Sequence, residues 1–352
     1  MAPAPSITMV MKDPLTEDIK SPQRNYSRGS RWALSLKILL AVILACGVIA
    51  GFYNFIKSTY LDRRISRFIP STWVNLKEEN NAEPPSNALM EKPVFRVAIA
   101  PIVSPEKSHE MYQGFVDYIA EKLNRKPVSL YRPTYSETND LVRYQRCDIA
   151  VVCTYPFIRG EREFGMQALV VPQIKGETTY QSFIIVPESS SAKSLFDLRG
   201  TRFAAADIIS TTGWLFPAMT IMNAGENPNR FFGNLIITGS HDKSIQAVLD
   251  GFVDGAAIHG IVYDQMIADN PSIPKKIRII GKSPPFGIPP VVVHPGMDPT
   301  LRKATISVLL DMHNNDRGKK ILDVLQIERF VVPQKGIFDD LRQAIGKLEG
   351  WK

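Results

Sequence analysis

The stretch RFAAADIISTTGWLFPAM, residues 202–219, passes from a short apolar strand pattern into three consecutive hydroxyls, a glycine and an apolar helical run. Strand, turn and helix in so short a space is the grammar of an α/β unit. Ser210, Thr211 and Thr212 are poor choices for a strand core, so the question is what they do where a helix begins. One hydroxyl there is explained by capping, because its oxygen accepts a hydrogen bond from an orphan N–H of the first turn. Three hydroxyls followed by Gly213 also place donors where the helix dipole is positive, a patch that suits an anion. From this stretch alone, cap and anion site are both open readings.

The same alternation surrounds it. VFRVAIAPI (94–102) reads as a strand, and EMYQGFVDYIAEKLN (110–124) as an amphipathic helix with Met111, Phe115, Tyr118, Ile119 and Leu123 on one stripe. PVSLYRP is a second strand, YSETNDLVRYQRC a short helix and DIAVVCT a third strand. YQSFIIVP (180–187), SAKSLFDLRG, the quoted unit, NLIIT (234–238), DKSIQAVLDGF and DGAAIHG continue the pattern. KIRIIGKS (276–283) and PPVVVHP (289–295) complete the strands, and helical stretches follow at 299–313 and 316–325. The βαβ pattern occurs once before and once after about residue 183, which predicts two α/β lobes with parallel sheets and a cleft between them. In open α/β sheets, ligands sit at the carboxyl ends of strands, where the hydroxyl triplet falls.

The chain of 352 residues is 44% hydrophobic, enough for two ordinary domains with real cores. ILLAVILACGVIAGFYNFI (38–56) carries no charge and is bracketed by Lys37 and Lys57, a span of about one bilayer core. It starts too far from Met1 for an ordinary signal peptide. ILAC (43–46) faintly resembles a lipoprotein cleavage box, but Leu44 fits it poorly and the residues after Cys46 stay apolar, so an uncleaved anchor is the expectation. Basic residues flank the span on both sides, which leaves its orientation open. The expected organisation is a disordered tail (1–36), a transmembrane anchor (37–57), and a juxtamembrane segment and linker (58–93). Lobe 1 follows (94–183), then lobe 2 (184–282), a return to lobe 1 (283–335) and a C-terminal helix or tail (336–352).

The formal charge of +7 includes no block of five or more Lys/Arg, so nucleic acid is not an expected partner. Cys147 and Cys153 flank one strand and are expected to be free thiols. No C-x-x-C or His-x-x-x-His spacing suggests a metal, and no Walker A or G-x-G-x-x-G loop suggests a nucleotide. No G-x-S-x-G elbow surrounds Ser210, and no oriented acid partner is visible for a Ser210–His241 dyad. Neither an enzyme nor a cofactor is expected.

Further candidates lie at strand ends. Ser104 is placed to cap the helix that Pro105 begins, and Thr154 and Tyr155 end the third strand. Tyr155 either hydrogen-bonds a ligand or covers the core edge. His241 opens the helix after TGS, and His259 ends the next strand; an imidazole donates when neutral and favours an anion more when protonated. Each histidine standing alone is equally well a surface or core residue.

SPEKSHEMYQGFVDYIAEKL, YSETNDLVRYQRCDIAVVCTYPFI, ADIISTTGWLFPAM and GSHDKSIQAVLDGFVDGAAIHG, in this order and spacing, resemble the periplasmic phosphate/phosphite/phosphonate-binding proteins. These are the receptor subunits of ABC importers, and the resemblance runs from about Val94 to Pro333. It implies a two-lobed periplasmic-binding-protein-like α/β fold with two hinge crossings, placed near 180–186 and 281–290. It also implies that Ser210, Thr211, Thr212 and Gly213 with His241 grip an oxyanion, and that Tyr135 and Tyr155 close over it; His259 and Ser104 complete the candidate set. Family members that take an aminoalkylphosphonate use second-lobe carboxylates, whereas the strand end here reads Ala257–Ile258–His259–Gly260–Ile261, with Asp264 farther on. The expected function is an anchored solute-binding protein in the inner membrane, its domain in the periplasm or outside, serving an ABC permease. The alternative is a tethered sensor that signals to a membrane partner.

Overall fold

The computed structural model describes residues 92–349. The expected tail, the anchor at 38–56 and the juxtamembrane segment lie outside the described residues. Among those described, no helix is long and apolar enough to cross a membrane.

The chain opens with β1 (Val94–Ile99), α1 (Pro105–Lys122), β2 (Lys126–Tyr131), α2 (Tyr135–Arg143), β3 (Ile149–Val151), α3 (Thr154–Phe164) and β4 (Gln167–Gln173). Pro105 opens α1, where its missing N–H costs nothing, and Lys122 lies in the last turn, where a cation complements the dipole. Phe115, Tyr118 and Ile119 of the expected stripe are buried against β1 and β3, while Met111 and Leu123 lie at its margin. α3 ends at Gly165, whose φ of 77° is the left-handed conformation that glycine adopts without steric cost.

The chain then crosses into a second sheet. β5 (Thr179–Tyr180) and β6 (Ser182–Pro187) are followed by β7 (Arg202–Ala205), a π-helical turn (Thr211–Leu215) and α4 (Phe216–Asn223). β8 (Asn234–Ile237), α5 (His241–Leu249), β9 (Gly255–His259), α6 (Gly260–Asp269) and β10 (Ile277–Lys282) complete it. The return runs through β11 (Phe286–Gly287) and β12 (Val291–Val293) to α7 (Pro299–Asp311), α8 (Asp316–Leu325), β13 (Arg329–Val331) and α9 (Asp339–Glu349).

The first sheet has the order β13-β4-β12-β3-β1-β2 and the second β10-β6-β9-β7-β8. Both are mixed, which corrects the expectation of parallel sheets. β1 is parallel to β2 and β3, and β7 to β8 and β9. β12 is antiparallel to β3 and β4, β13 to β4, β6 to β9 and β10 to β6. The strands that enter from the other lobe, β6 and β12, run against the βα strands beside them, and β13, which follows α8, runs antiparallel to β4. Because β6 already begins at Ser182, the first crossing runs over residues 174–181, ahead of the expected 180–186. The second runs over 283–290, and β5 pairs with β11 as an antiparallel ribbon between them.

Each lobe has its own apolar packing. Phe95, Phe115 and Phe157 are fully buried in the first and Phe203 in the second, each contributing on the order of 2 kcal/mol by leaving water. The carboxyl ends of β1 and β3 face those of β7, β8 and β9, and the cross-lobe hydrogen bonds form there.

Candidate functional site

The hydroxyl triplet starts a helix, but its three members do different work. Ser210 is the cap: its Oγ accepts from the Gly213 N–H at 3.0 Å. Thr211 Oγ1 accepts from the Tyr155 N–H at 2.8 Å, joining the second lobe to the first turn of α3, and lies 3.3 Å from Cys153 Sγ. Thr212 Oγ1 is buried with no hydrogen-bond partner. A buried hydroxyl left unpaired costs free energy, so this atom has hydrogen-bonding capacity that the described residues do not use.

His241 is the first residue of α5 and is fully buried. Its Nδ1 accepts from the His259 N–H at 3.2 Å, which leaves the ring proton on Nε2, 3.2 Å from Ser210 Oγ. Burial pushes its pKa down to about 3. It is therefore a neutral donor at pH 7, one of the two states the sequence left open. Gly213 makes this approach possible. A Cβ there would stand 3.0 Å from Ser210 Oγ, 3.1 Å from the Ala206 nitrogen and 3.2 Å from His241 Cε1.

Tyr135 enters from the first lobe at the start of α2. Its hydroxyl, beside Ser210, is buried without a hydrogen-bond partner, and burial holds the phenol well above its ordinary pKa as a protonated donor. Tyr155 contributes its backbone N–H, while its half-buried ring packs against apolar clusters that include Cys153 and Ile209. His259 stands beside the site: its ring centroid is 4.4 Å from that of Tyr180 and 5.6 Å from that of His241. Burial, then the neighbouring His241, lowers its pKa well below the usual value, and its Nδ1 is buried unpaired.

Ser104 departs from expectation. Its side chain makes no cap bond to α1; its N–H instead donates to Asp242 Oδ1 at 2.9 Å, across the cleft. The His241 N–H donates to the Ile102 carbonyl at 3.0 Å, and the Tyr135 N–H to Asp207 Oδ2 at 3.1 Å. With the Tyr155–Thr211 bond, these contacts hold the lobes together over the cluster.

Sequence reasoning missed three contributors. Tyr180 was read only as part of a strand, but it lies in the ribbon between the crossings. Its buried hydroxyl is 3.3 Å from Thr154 Oγ1 and 3.7 Å from Cys153 Sγ. Cys153 is buried and free, as is Cys147. Asp207 positions the turn by accepting from the Ile209 N–H at 2.9 Å while it holds α2. An Asp three residues before a hydroxyl run is a legible turn signal; Tyr180 carries no local signal.

The cluster offers hydroxyls, a neutral imidazole and a helix start, with no lysine or arginine among the groups just described. Such a set holds an anion by hydrogen bonds in a water-poor site, where charge-assisted bonds are strongest.

The family model described as ABC transporter, phosphonate, periplasmic substrate-binding protein matches residues 97–335. The chain is 22% identical over 246 residues to the phosphonates-binding periplasmic protein of Escherichia coli (strain K12), covering 68% of this chain and 72% of that protein. Its fold resembles a binding protein component of an ABC phosphonate transporter from Pseudomonas aeruginosa, with a TM-score of 0.68 and 20% identity over 72% of this chain and 86% of that one. It also resembles a Prochlorococcus marinus protein solved in complex with methylphosphonate, with a TM-score of 0.66 and 19% identity over 73% and 98% of the two chains.

Proposed function

The chain belongs to the family of phosphonate substrate-binding proteins of ABC transporters, and from that premise we propose that it captures its phosphorus oxyanion in the Ser210–Thr212, His241 and Tyr135 cluster. It is a periplasmic binding component of a transporter, not an enzyme. The observation that carries the site assignment is the pair of buried, unpaired hydroxyls, Thr212 Oγ1 and Tyr135 OH, that flank the Ser210–His241 contact. The ligand oxygens satisfy both, and the helix start supplies backbone donors. Binding closes the lobes, and the ligand favours the closed state by as much as its contacts differ between closed and open forms.

The test is thermal unfolding of the full-length chain with phosphate, phosphite, methylphosphonate, 2-aminoethylphosphonate and sulfate. A ligand at about a hundred times its dissociation constant adds about 2.7 kcal/mol. A shift with a phosphorus oxyanion that is lost in His241→Ala supports the site. No shift with any of them returns the triplet to a helix cap.

Residues 38–56 form a single-pass anchor in this proposal, which the uncharged run between Lys37 and Lys57 supports. The tail is cytoplasmic and the binding domain faces the periplasm. A protease added to cells with a permeabilised outer layer then cuts the 80–93 linker; protection there refutes this topology. Family membership favours a permease as partner. Recovery of a kinase or cyclase in place of a permease in a pull-down would turn the account to a tethered sensor.

A further inference from the structure

The amino ends of β1, β2 and β3 lie together, since Val94 pairs with Lys126 and Val97 with Ile149 in parallel register. The carboxyl ends of β1 and β3 meet the second lobe, so these amino ends belong to the far end of the first. Residues 92–97, 121–126 and 145–149 fall there. They carry Lys92, Arg96, Lys122, Arg125, Lys126 and Arg146 against two acids, Glu121 and Asp148. The six basic residues are exposed except Arg125, which is half-buried.

Both acids are engaged. Arg317 pairs with Glu121 and holds its carboxyl below the usual range; Lys122 and Lys92 add to that shift, which places both lysines beside it. Asp148 accepts from the Arg96 N–H at 2.6 Å, and the Arg96 guanidinium lies 4.0 Å from it. Arg125 donates to the Val94 carbonyl at 3.3 Å, and the Lys122 ammonium lies 5.6 Å from the centre of the Tyr118 ring. A carbonyl and a ring hold a cation without neutralising it. The far end therefore keeps a net positive charge, and crowded like charges are relieved by an anionic surface within about 8 Å, the Debye length at physiological salt.

The path of the chain identifies that surface. Lys92 is where the chain arrives from residues 57–91, which follow the uncharged run 38–56. In the anchored protein proposed above, the bilayer is what this end is tied to.

We propose that the far end of the first lobe docks on the anionic lipid headgroups of the membrane that holds residues 38–56. The proposal rests on the anchor reading above. Ammonium and guanidinium groups pair with lipid phosphates, and each one close to an anionic surface contributes about fivefold in binding. Tethering makes the contact intramolecular, so a weak patch suffices. The cleft ends of the strands point the other way, so the second lobe stands off the bilayer and remains free to close.

The experiment uses the full-length chain with a site-specific protease sequence inserted between Ser86 and Asn87. It is reconstituted into vesicles of phosphatidylcholine alone or with one third phosphatidylglycerol. The uncut chain is expected to stay with both through an alkaline wash, which tests the anchor. After cleavage the domain should sediment with the anionic vesicles at low salt. It should leave the neutral vesicles, and leave the anionic ones in about 1 M salt, where the Debye length is about 3 Å. Lys92→Glu, Lys122→Glu and Lys126→Glu together should weaken retention at least about a hundredfold. The same charge change at exposed second-lobe positions, Lys193→Glu, Lys275→Glu and Lys276→Glu, should leave most of it, with native circular dichroism in both variants. Equal retention or equal release on the two kinds of vesicle overturns the docking surface while leaving the anchor standing. So does an equal loss in the two variants, which would make net charge responsible. Extraction of the uncut chain by the alkaline wash overturns the anchor and this proposal with it.

Discussion

Replacing Thr212 with Val separates the ligand's needs from the fold's. The two side chains have nearly the same shape, so the packing around position 212 survives. Thr212 Oγ1 has no protein partner, so its removal orphans nothing in the unliganded protein. Stability therefore stays level or rises, because an unsatisfied buried hydroxyl is itself unfavourable. In the complex the same change removes one hydrogen bond to a charged oxygen, worth about 1.5–3 kcal/mol, or roughly 10- to 150-fold in affinity. Thr211→Val is the contrast. Its hydroxyl accepts the Tyr155 N–H, so deleting it strands a donor at the lobe interface and costs the closed form about 1–3 kcal/mol with or without ligand. Calorimetric titration against phosphite and thermal unfolding without ligand read the two quantities separately. Unchanged affinity in Thr212→Val would refute the reasoning, and so would a large loss of unliganded stability.

Other consequences follow from the same contacts. Gly213→Ala pushes a methyl toward Ser210 Oγ, the Ala206 nitrogen and His241 Cε1 at 3.0–3.2 Å, so phosphite affinity falls at least tenfold by titration while circular dichroism stays native. His241 stays unprotonated in the fold down to about pH 3 but gains a proton near pH 6.5 when unfolded. The unfolded state thus binds more protons between about pH 3 and 6.5, and stability falls as pH drops through that window, by up to about 1.4 kcal/mol per pH unit from this residue. Denaturant titrations at a series of pH values should show a shallower slope in His241→Gln; an unaltered slope assigns the effect elsewhere. Asp207→Ala removes the acceptor that holds the start of α2 to the second lobe. It should weaken phosphite and methylphosphonate by a similar factor, about tenfold or more; a loss confined to one ligand would make Asp207 a specificity group instead.

Much of this arrangement was legible in the chain. The βα units around β1, β3, β7 and β9 have clear apolar runs and helix starts, and the triplet with His241 follows from strand ends meeting helices. The mixed sheets were not legible, because strand direction depends on which lobe the chain arrives from, and β4 and β13 pair over long range. The distinct roles of Ser210, Thr211 and Thr212 were hidden too. Neighbouring hydroxyls look alike in sequence and differ only in what faces them: a glycine N–H, the first turn of α3, or nothing. Tyr180 was invisible because its position comes from the ribbon formed where the two crossings meet.

The central claim is that the buried cluster between the lobes is the seat of the phosphorus oxyanion. A crystal structure of the full-length chain grown with phosphite tests it most directly. The account predicts phosphorus between the lobes, with its oxygens within hydrogen-bond distance of Thr212 Oγ1, the Tyr135 hydroxyl and the Ser210–His241 pair. Phosphite bound anywhere else, with Thr212 Oγ1 and the Tyr135 hydroxyl still unpaired, would contradict it.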